Sequence, residues 1–439
     1  MQTISVIGLG KLGAPLLATI ASRGFDVVGI DINPKVVATI NQKKAPVDEP
    51  GLEQLIAKNH RKIKATSDYD EAINNSDITF IIVPTPSTKN GAFSNEYVVS
   101  AIRKIGKVLA KKDKFHLVVV TSTIMPKSMD IEIIPVLEKA SGKRLNTDYG
   151  VCYNPEFIAL GSVIDNLLNP DFVLIGESDR KAGQILEEFY KKFCTNKPPI
   201  KRMNFVNAEI SKLALNSYIT TKISFANTLA QICEKVPGGD VDIVTSAIGQ
   251  DSRIGSKYLK GALPYGGPCF PRDNRAFASF ANKVGVQASL AKATDLVNEN
   301  MIDQIVKKVA KIGANKNCKI AILGLAYKPD TDVAEESAGV KIANLLSRKS
   351  AKVSVWDPRA MARARKLLSP KILFARSLRN CLTKSDIIII ATPWPEFKSI
   401  KPSDLAINGK KPFLLDCWRI LDRLKYDKVA FYQTVGLGN

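Results

Sequence analysis

The stretch TISVIGLGKLGAPLLATIASRGFDVVGIDINP, residues 3–34, reads as an apolar strand, a glycine turn, a helix and a second apolar strand. Within it Gly8-Leu9-Gly10-Lys11-Leu12-Gly13 fits GxGxxG, and Asp31 closes the second strand. The spacing alone is weak, but a strand before it, a helix after it and an acid at the end of the next strand make a dinucleotide fingerprint. Gly8 permits the tight turn, Gly10 lets backbone approach a pyrophosphate at the helix N-terminus, and Gly13 lets the helix pack on the strand. Asp31 favours NAD over NADP, because its carboxylate accepts from a ribose 2′-hydroxyl and repels a 2′-phosphate. An Asp capping the turn into Asn33-Pro34 is the plainer alternative, and one side chain can do both.

The same grammar returns from residue 319: KIAILGLAYKPDTD, then the helical ESAGVKIANLLSRKS, then AKVSVWDP, with Asp357 where the first copy has Asp31. SDITFIIVPTPS (76–87) and SDIIIIATPWPE (385–396) extend the parallel. The expected fold class is therefore α/β, with two doubly wound Rossmann-like domains joined by a central helical domain. The second copy lacks the third glycine of the fingerprint and carries Lys328, Asp330 and Asp332 instead, so it is expected to hold a different phosphate ligand, with Lys328 as a contact. Between the copies, NAEISKLALNSYITTKISFANTLAQICEKV repeats apolar residues three and four apart and ends at PGGD, which predicts one long helix. A second is expected over SLAKATDLVNENMIDQIVKKVAKIG, stopped by Gly313. The expected domains are 1–200 for the dinucleotide, 201–315 for helices, a common place for dimerisation and a cleft, and 316–439 for the second phosphate ligand.

Composition narrows the class. At 439 residues with 45% hydrophobic and 24% charged residues, the chain can build several cores. No basic, apolar, small-residue leader opens it, and its longest apolar runs are too short for a bilayer. Seven cysteines without a CxxC pair point to reduced thiols in a cytoplasm and argue against zinc. His60 and His116 are the only histidines. His60 lies in the polar run KNHRKIK, and His116 opens FHLVVV as a solvated or strand-edge residue, so proton transfer falls to Lys, Asp, Glu or water. The net charge of +21 is expected on solvated helix faces such as RKIGKVLAKKDK. Without interleaved aromatics it speaks for a phosphate-bearing small substrate over nucleic acid.

GGPCFPRD, residues 266–273, places one thiol in a glycine-cleared loop. For a cysteine at random the better reading is a small buried hydrophobe. Beside a nicotinamide site it suggests an oxidation that continues past the aldehyde. The thiolate adds, a second hydride leaves and the thioester is hydrolysed, with Arg272 stabilising the thiolate. Lys212 and Asn216 fall at i and i+4 of the long helix, on one face. Flanked by Leu213 and Leu215, that face can be partly buried, where a lysine trades protons; taken alone, an exposed helical lysine is the plainer reading of Lys212.

With these residues on the page, the chain resembles the UDP-glucose/GDP-mannose dehydrogenase family of nucleotide-sugar dehydrogenases. GLGKLG, VPTP, TSTIMP, NPEF, LNPDFVLIG, EISKLALNSYITTKISFAN, RIG, GGPCFPRD, GLAYKPDTD and WDP follow in the family's order. Tyr265-Gly266-Gly267 and Cys269-Phe270-Pro271 resemble its UDP-glucose branch. The resemblance implies Cys269 as nucleophile, Lys212 and Asp273 handling proton and oxyanion, and Thr123, Asn216 and Glu156 arranging water or the 6-oxygen. It implies NAD contacts from Gly8, Gly10, Leu12, Gly13, Asp31, Lys35, Thr85, Thr123 and Arg272. For the nucleotide sugar it implies Glu156, Lys212, Asn216, Tyr258, Gly266 and Lys328, with Arg253 from the partner subunit of a homodimer built on the central helices.

The chain also departs from the family's Pro-Glu-Phe-Leu-Arg-Glu-Gly. Pro155-Glu156-Phe157-Ile158-Ala159-Leu160-Gly161 keeps the first glutamate and replaces the second with Leu160. Arg272 stands where lysine is usual, which changes hydrogen-bond shape, and Asn274 where threonine is common. UDP-glucose to UDP-glucuronate is the leading reading. The same chemistry on a UDP-N-acetylhexosamine or GDP-mannose, or a non-catalytic relative that binds NAD or a nucleotide sugar, are the alternatives.

Overall fold

The computed structural model describes residues 2–312, 318–349, 352–383, 385–405 and 411–438. The chain forms two compact units, Met1–Ala214 and Leu215–Asn439. The expected helix stop at Gly313 and the expected boundary at 315–316 lie outside the described residues.

In the first unit eight strands make one sheet: β1 (Thr3–Ile7), β2 (Asp26–Ile30), β3 (Ile63–Thr66), β4 (Ile78–Ile81), β5 (His116–Val120), β6 (Tyr149–Tyr153), β7 (Val173–Glu177) and β8 (Ile200–Met203). Their order is β3-β2-β1-β4-β5-β6-β7-β8. All neighbours are parallel except β6 and β7. A parallel sheet is covered on both faces, which is why β4 and β5 are mostly apolar and buried at every position. The order reverses between β1 and β4, so their C-terminal ends open the crevice where such folds take ligands.

The second unit repeats the plan with β9 (Lys319–Leu323), β10 (Lys352–Trp356), β11 (Leu373–Phe374), β12 (Ile387–Ile390), β13 (Phe413–Asp416) and β14 (Phe431–Thr434), all parallel in the order β11-β10-β9-β12-β13-β14. The internal repeat extends to single hydrogen bonds. Gly8 N donates to Ile30 O at 2.8 Å and Gly324 N to Trp356 O at 2.9 Å. Leu9 N donates to Asp31 Oδ2 at 2.8 Å, and Leu325 N to Asp357 Oδ2 at 2.7 Å. Asp77 and Asp386 hold the start of β1 and β9 in the same way, accepting from Thr3 N and Lys319 N.

One expectation is corrected here. The second copy does have a third glycine, displaced along the chain. A Cβ at Gly13 would lie 1.7 Å from Gly8 O, and a Cβ at Gly339 would lie 2.0 Å from Gly324 O. Gly339 sits at the start of the helix Ala338–Arg348 and performs the helix-to-strand packing of Gly13. The loop inserted between Gly324 and this helix carries Lys328.

The long helices form as the periodicity predicts. Phe205–Cys233 starts where Asn204 Oδ1 accepts from Asn207 N at 3.0 Å, and the chain turns after it at Gly238, with φ of 79°. Ser289–Lys311 is the second helix.

Candidate functional site

The first unit carries most of its share of the predicted residues just beyond the C-terminal ends of β1, β2, β4, β5 and β6. Gly8 has φ of 92°, and a Cβ there would come within 2.5 Å of Ile82 O. At Gly10, by contrast, a Cβ would meet nothing within 4 Å. The backbone is therefore bare at the mouth of the turn and leaves room for a pyrophosphate beside the helix Gly13–Ser22, whose N-cap is Leu12. The residues present fit NAD. Asp31 Oδ1 also accepts from Asn33 N at 2.8 Å, so its turn-capping role exists alongside lone pairs left for a ribose. Lys35 is exposed in the first turn of the next helix.

Thr85 and Thr123 come together: Thr85 Oγ1 donates to Thr123 O at 2.7 Å, tying the loop after β4 to the loop after β5. Further along the loop after β5, Lys127 N at 2.6 Å and Met129 N at 2.9 Å donate to Glu209, which is fully buried. Burial raises its pKa to about 7. Nothing in a single sequence marks this carboxylate as a loop holder. The same is true of Glu49, which accepts from Gly161 N and Val163 N at 3.0 and 2.7 Å and fixes the end of the NPEFIALG loop.

Lys212 is buried, against the plainer reading of an exposed helical lysine. Its Nζ donates to Glu156 O at 2.6 Å and lies 4.7 Å from the centre of the Phe157 ring. The amphipathic pattern of the helix could not show this, because the loop that covers Lys212 is distant in sequence. Burial pushes Glu156 up to about 7, with the Lys212 charge opposing. Leu160, where the family has its second glutamate, packs against the apolar core of this unit.

The second unit holds the thiol. Six cysteines are buried and Cys269 alone is exposed, so it is not the small buried hydrophobe of the plainer reading. It is the N-cap of the helix Phe270–Lys283, with Pro271 in the first turn. Gly267 has φ of 79°, and a Cβ there would fall 2.6 Å from the Tyr327 ring; one at Gly266 would fall 2.3 Å from Glu336 O. The loop is thus glycine because the segment after β9 presses on it, and Gly267 N donates to Glu335 O at 3.1 Å. Burial first, then the charge of Cys269, push the Tyr327 hydroxyl far above its usual pKa. Tyr265 is clamped by Asn298, which accepts from its N–H at 2.8 Å and donates to its carbonyl at 3.0 Å.

Four residues after Cys269, Asp273 is buried and accepts from Asn216 Nδ2 at 2.6 Å. Its Oδ1 has no hydrogen-bond partner among the described residues, and Arg272 Nε stands 3.7 Å away. A buried acceptor left open in this way suits a ligand donor. Asn274 accepts from Ser217 Oγ at 2.7 Å and donates to Ala291 O at 2.9 Å, so it joins three helices where threonine is common in the family. Tyr258, with φ of 62°, meets Phe270 edge-on at 6.0 Å. Lys328 lies in the loop after β9, and Arg253 is 87% exposed and paired with Asp251.

Three family models match in chain order: the UDP-glucose/GDP-mannose dehydrogenase family's NAD binding domain over residues 2–194, its central domain over 206–300 and its UDP binding domain over 321–423. UDP-glucose 6-dehydrogenase AglM of Haloferax volcanii is 35% identical, over 96% of this chain and 97% of its own. GDP-mannose 6-dehydrogenase of Pseudomonas syringae pv. tomato is 34% identical, over 90% and 92%. The solved UDP-glucose dehydrogenase of the hyperthermophilic archaeon Pyrobaculum islandicum has a TM-score of 0.90 at 32% identity, covering all of this chain and 98% of that one.

Proposed function

Because the chain belongs to the UDP-glucose/GDP-mannose dehydrogenase family and carries its NAD-binding domain, we propose that it oxidises the 6-hydroxymethyl of a nucleotide sugar to the carboxylate, with UDP-glucose as the substrate. The observation that carries this reading is the single exposed thiol, Cys269, at a helix start four residues from the buried Asp273–Asn216 pair.

NAD, when bound, accepts the hydride that leaves C6 in each of two oxidations. Gly8, Gly10, Leu12, Gly13, Asp31, Lys35, Thr85, Thr123 and Arg272 would hold it. In the first oxidation the 6-hydroxyl gives its proton to the Lys212 and Asp273 set as the aldehyde forms. Cys269 thiolate then adds to the aldehyde carbon, making a C–S bond and a thiohemiacetal whose oxyanion Lys212 and Asn216 stabilise. Loss of the second hydride leaves a thioester. Water adds to it, Glu156 takes the water's proton, the C–S bond breaks and the Cys269 thiolate is restored. One alcohol, one water and two oxidised acceptors become one carboxylate, two reduced acceptors and three protons. Tyr258, Gly266 and Lys328 would hold the nucleotide sugar.

UDP-glucose leads on the residues around Cys269. The near-equal identity to a UDP-glucose and a GDP-mannose enzyme motivates the second reading, the same chemistry on GDP-mannose or a UDP-N-acetylhexosamine. With sugar limiting and NAD in excess, two NADH per UDP-glucose are expected, and Cys269→Ser should abolish that turnover while leaving NAD binding intact. Oxidation of GDP-mannose or a UDP-N-acetylhexosamine alone would overturn the sugar assignment, and an unchanged rate in Cys269→Ser would overturn the thiol mechanism.

The same reading includes a homodimer on the central helices. Tyr218, Phe225 and Ile232 are 62%, 53% and 54% exposed and recur every seven residues on one helix, an uncovered apolar stripe. Cytoplasmic placement is part of the proposal, supported by seven cysteines that form no disulfide among the described residues. Among the described residues no helix is long and apolar enough to cross a membrane.

A further inference from the structure

Asn154, Tyr190 and Glu156 form a hydrogen-bond chain whose direction can be worked out atom by atom. Asn154 is buried and its Nδ2 donates to Leu174 O at 2.8 Å. A carbonyl can only accept, so the amide cannot be turned round, and Asn154 Oδ1 faces Tyr190. The Tyr190 hydroxyl donates to that oxygen in a short hydrogen bond. A phenol has one proton, and here it is committed. Yet the Tyr190 oxygen also lies 3.4 Å from Glu156 Oε1. An ionised Glu156 would meet it lone pair to lone pair, whereas a carboxylic acid would donate to it.

We propose that Asn154 and Tyr190 are positioning residues that present the Tyr190 oxygen to Glu156 as an acceptor and so hold Glu156 as the proton-carrying acid in the resting protein. The other groups facing Glu156 are Lys212, whose charge favours the carboxylate, and Cys194, whose thiol burial keeps neutral. Burial favours the acid, whereas a Tyr190 hydroxyl donating to Glu156 would lower its pKa; the commitment of that single proton to Asn154 is what argues against donation. The consequence rests on the assignment of Glu156 to thioester hydrolysis: with Leu160 in place of a second glutamate, Glu156 must release its proton before it can take one from water. The Asn154–Tyr190 pair then sets the pH above which hydrolysis runs.

The test is a carboxyl-carbon NMR titration of the full-length protein labelled at glutamate, with the Glu156 signal identified by its loss in Glu156→Gln. Asn154→Leu frees the tyrosine proton to turn towards Glu156, and the Glu156 midpoint should fall by about one pH unit, the worth of one hydrogen bond. An unchanged or raised midpoint overturns the proposal. Should Asn154→Leu fail to fold, Tyr190→Phe is read instead. There the acid loses its acceptor and the midpoint falls, while a rise would mean that Tyr190 had been donating to a carboxylate, and no movement would mean no coupling; either overturns it. The titration is read without any sugar, so its result stands whether or not the nucleotide-sugar reading does.

Discussion

Three glycines of one turn carry different loads, and substitution separates them. Gly13→Ala would place a Cβ 1.7 Å from Gly8 O, against backbone that cannot yield, and the variant should fail to fold or lose most of its thermal stability. At Gly10→Ala the Cβ has open space, so the melting temperature should hardly move. NAD should nevertheless bind at least about tenfold more weakly, a loss of about 1.4 kcal/mol, because the methyl occupies the pyrophosphate's approach. Fluorescence titration with NAD checks this, and an unchanged Kd would remove Gly10 from the cofactor site. These positions were legible in the sequence because a glycine's reason is local: a turn, then a helix start a fixed number of residues on. Lys212 and Lys112 were not: Lys212 falls under a loop, and Lys112, from the run expected on a solvated face, is buried with its Nζ donating to Ile73 O and Ser76 O, contacts that no helical pattern reports. Asn154 and Tyr190 were silent for the same reason, lying 36 residues apart.

At the scale of elements, the repeat was legible through its apolar strands and terminal acids, while Gly339 escaped because a longer loop precedes its helix than precedes Gly13 in the first copy. His116 is the clearest correction. It opens β5, but β5 lies between β4 and β6, and the ring is wholly buried, neither solvated nor at an edge. Its Nε2 contacts Thr79 Oγ1 at 2.7 Å and its Nδ1 stands 3.0 Å from Lys112 Nζ, while Lys112 also donates to Ile73 O and Ser76 O. Burial first, then the Lys112 charge, push the His116 pKa down to about 3. The folded protein therefore keeps His116 neutral, while the unfolded chain takes up a proton below about 6.5. The contribution is complete above that pH and is lost as pH falls towards 3, by an amount on the order of 5 kcal/mol in full. Glu156 and Glu209, both raised to about 7, act in the opposite direction, since their cost fades as pH falls from 7 towards their unfolded values. Lys112, lowered to about 8, is protonated in both states throughout that window. Comparison with His116→Gln isolates the histidine. Between pH 7 and 5 the urea midpoint of the parent should drop relative to that of the variant, and parallel curves would show that the buried ring does not govern acid stability.

For the whole molecule, the stripe of Tyr218, Phe225 and Ile232 and the exposed Arg253 pose one question: whether each site is completed by a second copy of the chain. The stripe was readable as helix but not as surface, because the same three-and-four spacing serves a core and an interface. Phe225→Glu puts a charge in the middle of the stripe and should give a monomer by light scattering with the far-ultraviolet spectrum unchanged. Complementation then asks where Arg253 acts. Arg253→Ala and Cys269→Ser should each be inactive alone. In a two-fold dimer the contact is reciprocal, so a mixed dimer whose arginines reach across has one site with both an intact thiol and an intact arginine. Random exchange makes half of the dimers mixed, so an equimolar mixture, dissociated and reassociated, should recover about a quarter of the parent rate. If Arg253 serves its own subunit, every site in the mixture lacks one group and nothing returns. If Arg253→Ala alone keeps full activity, the residue has no part in the site and the stripe must be judged on the light scattering of Phe225→Glu.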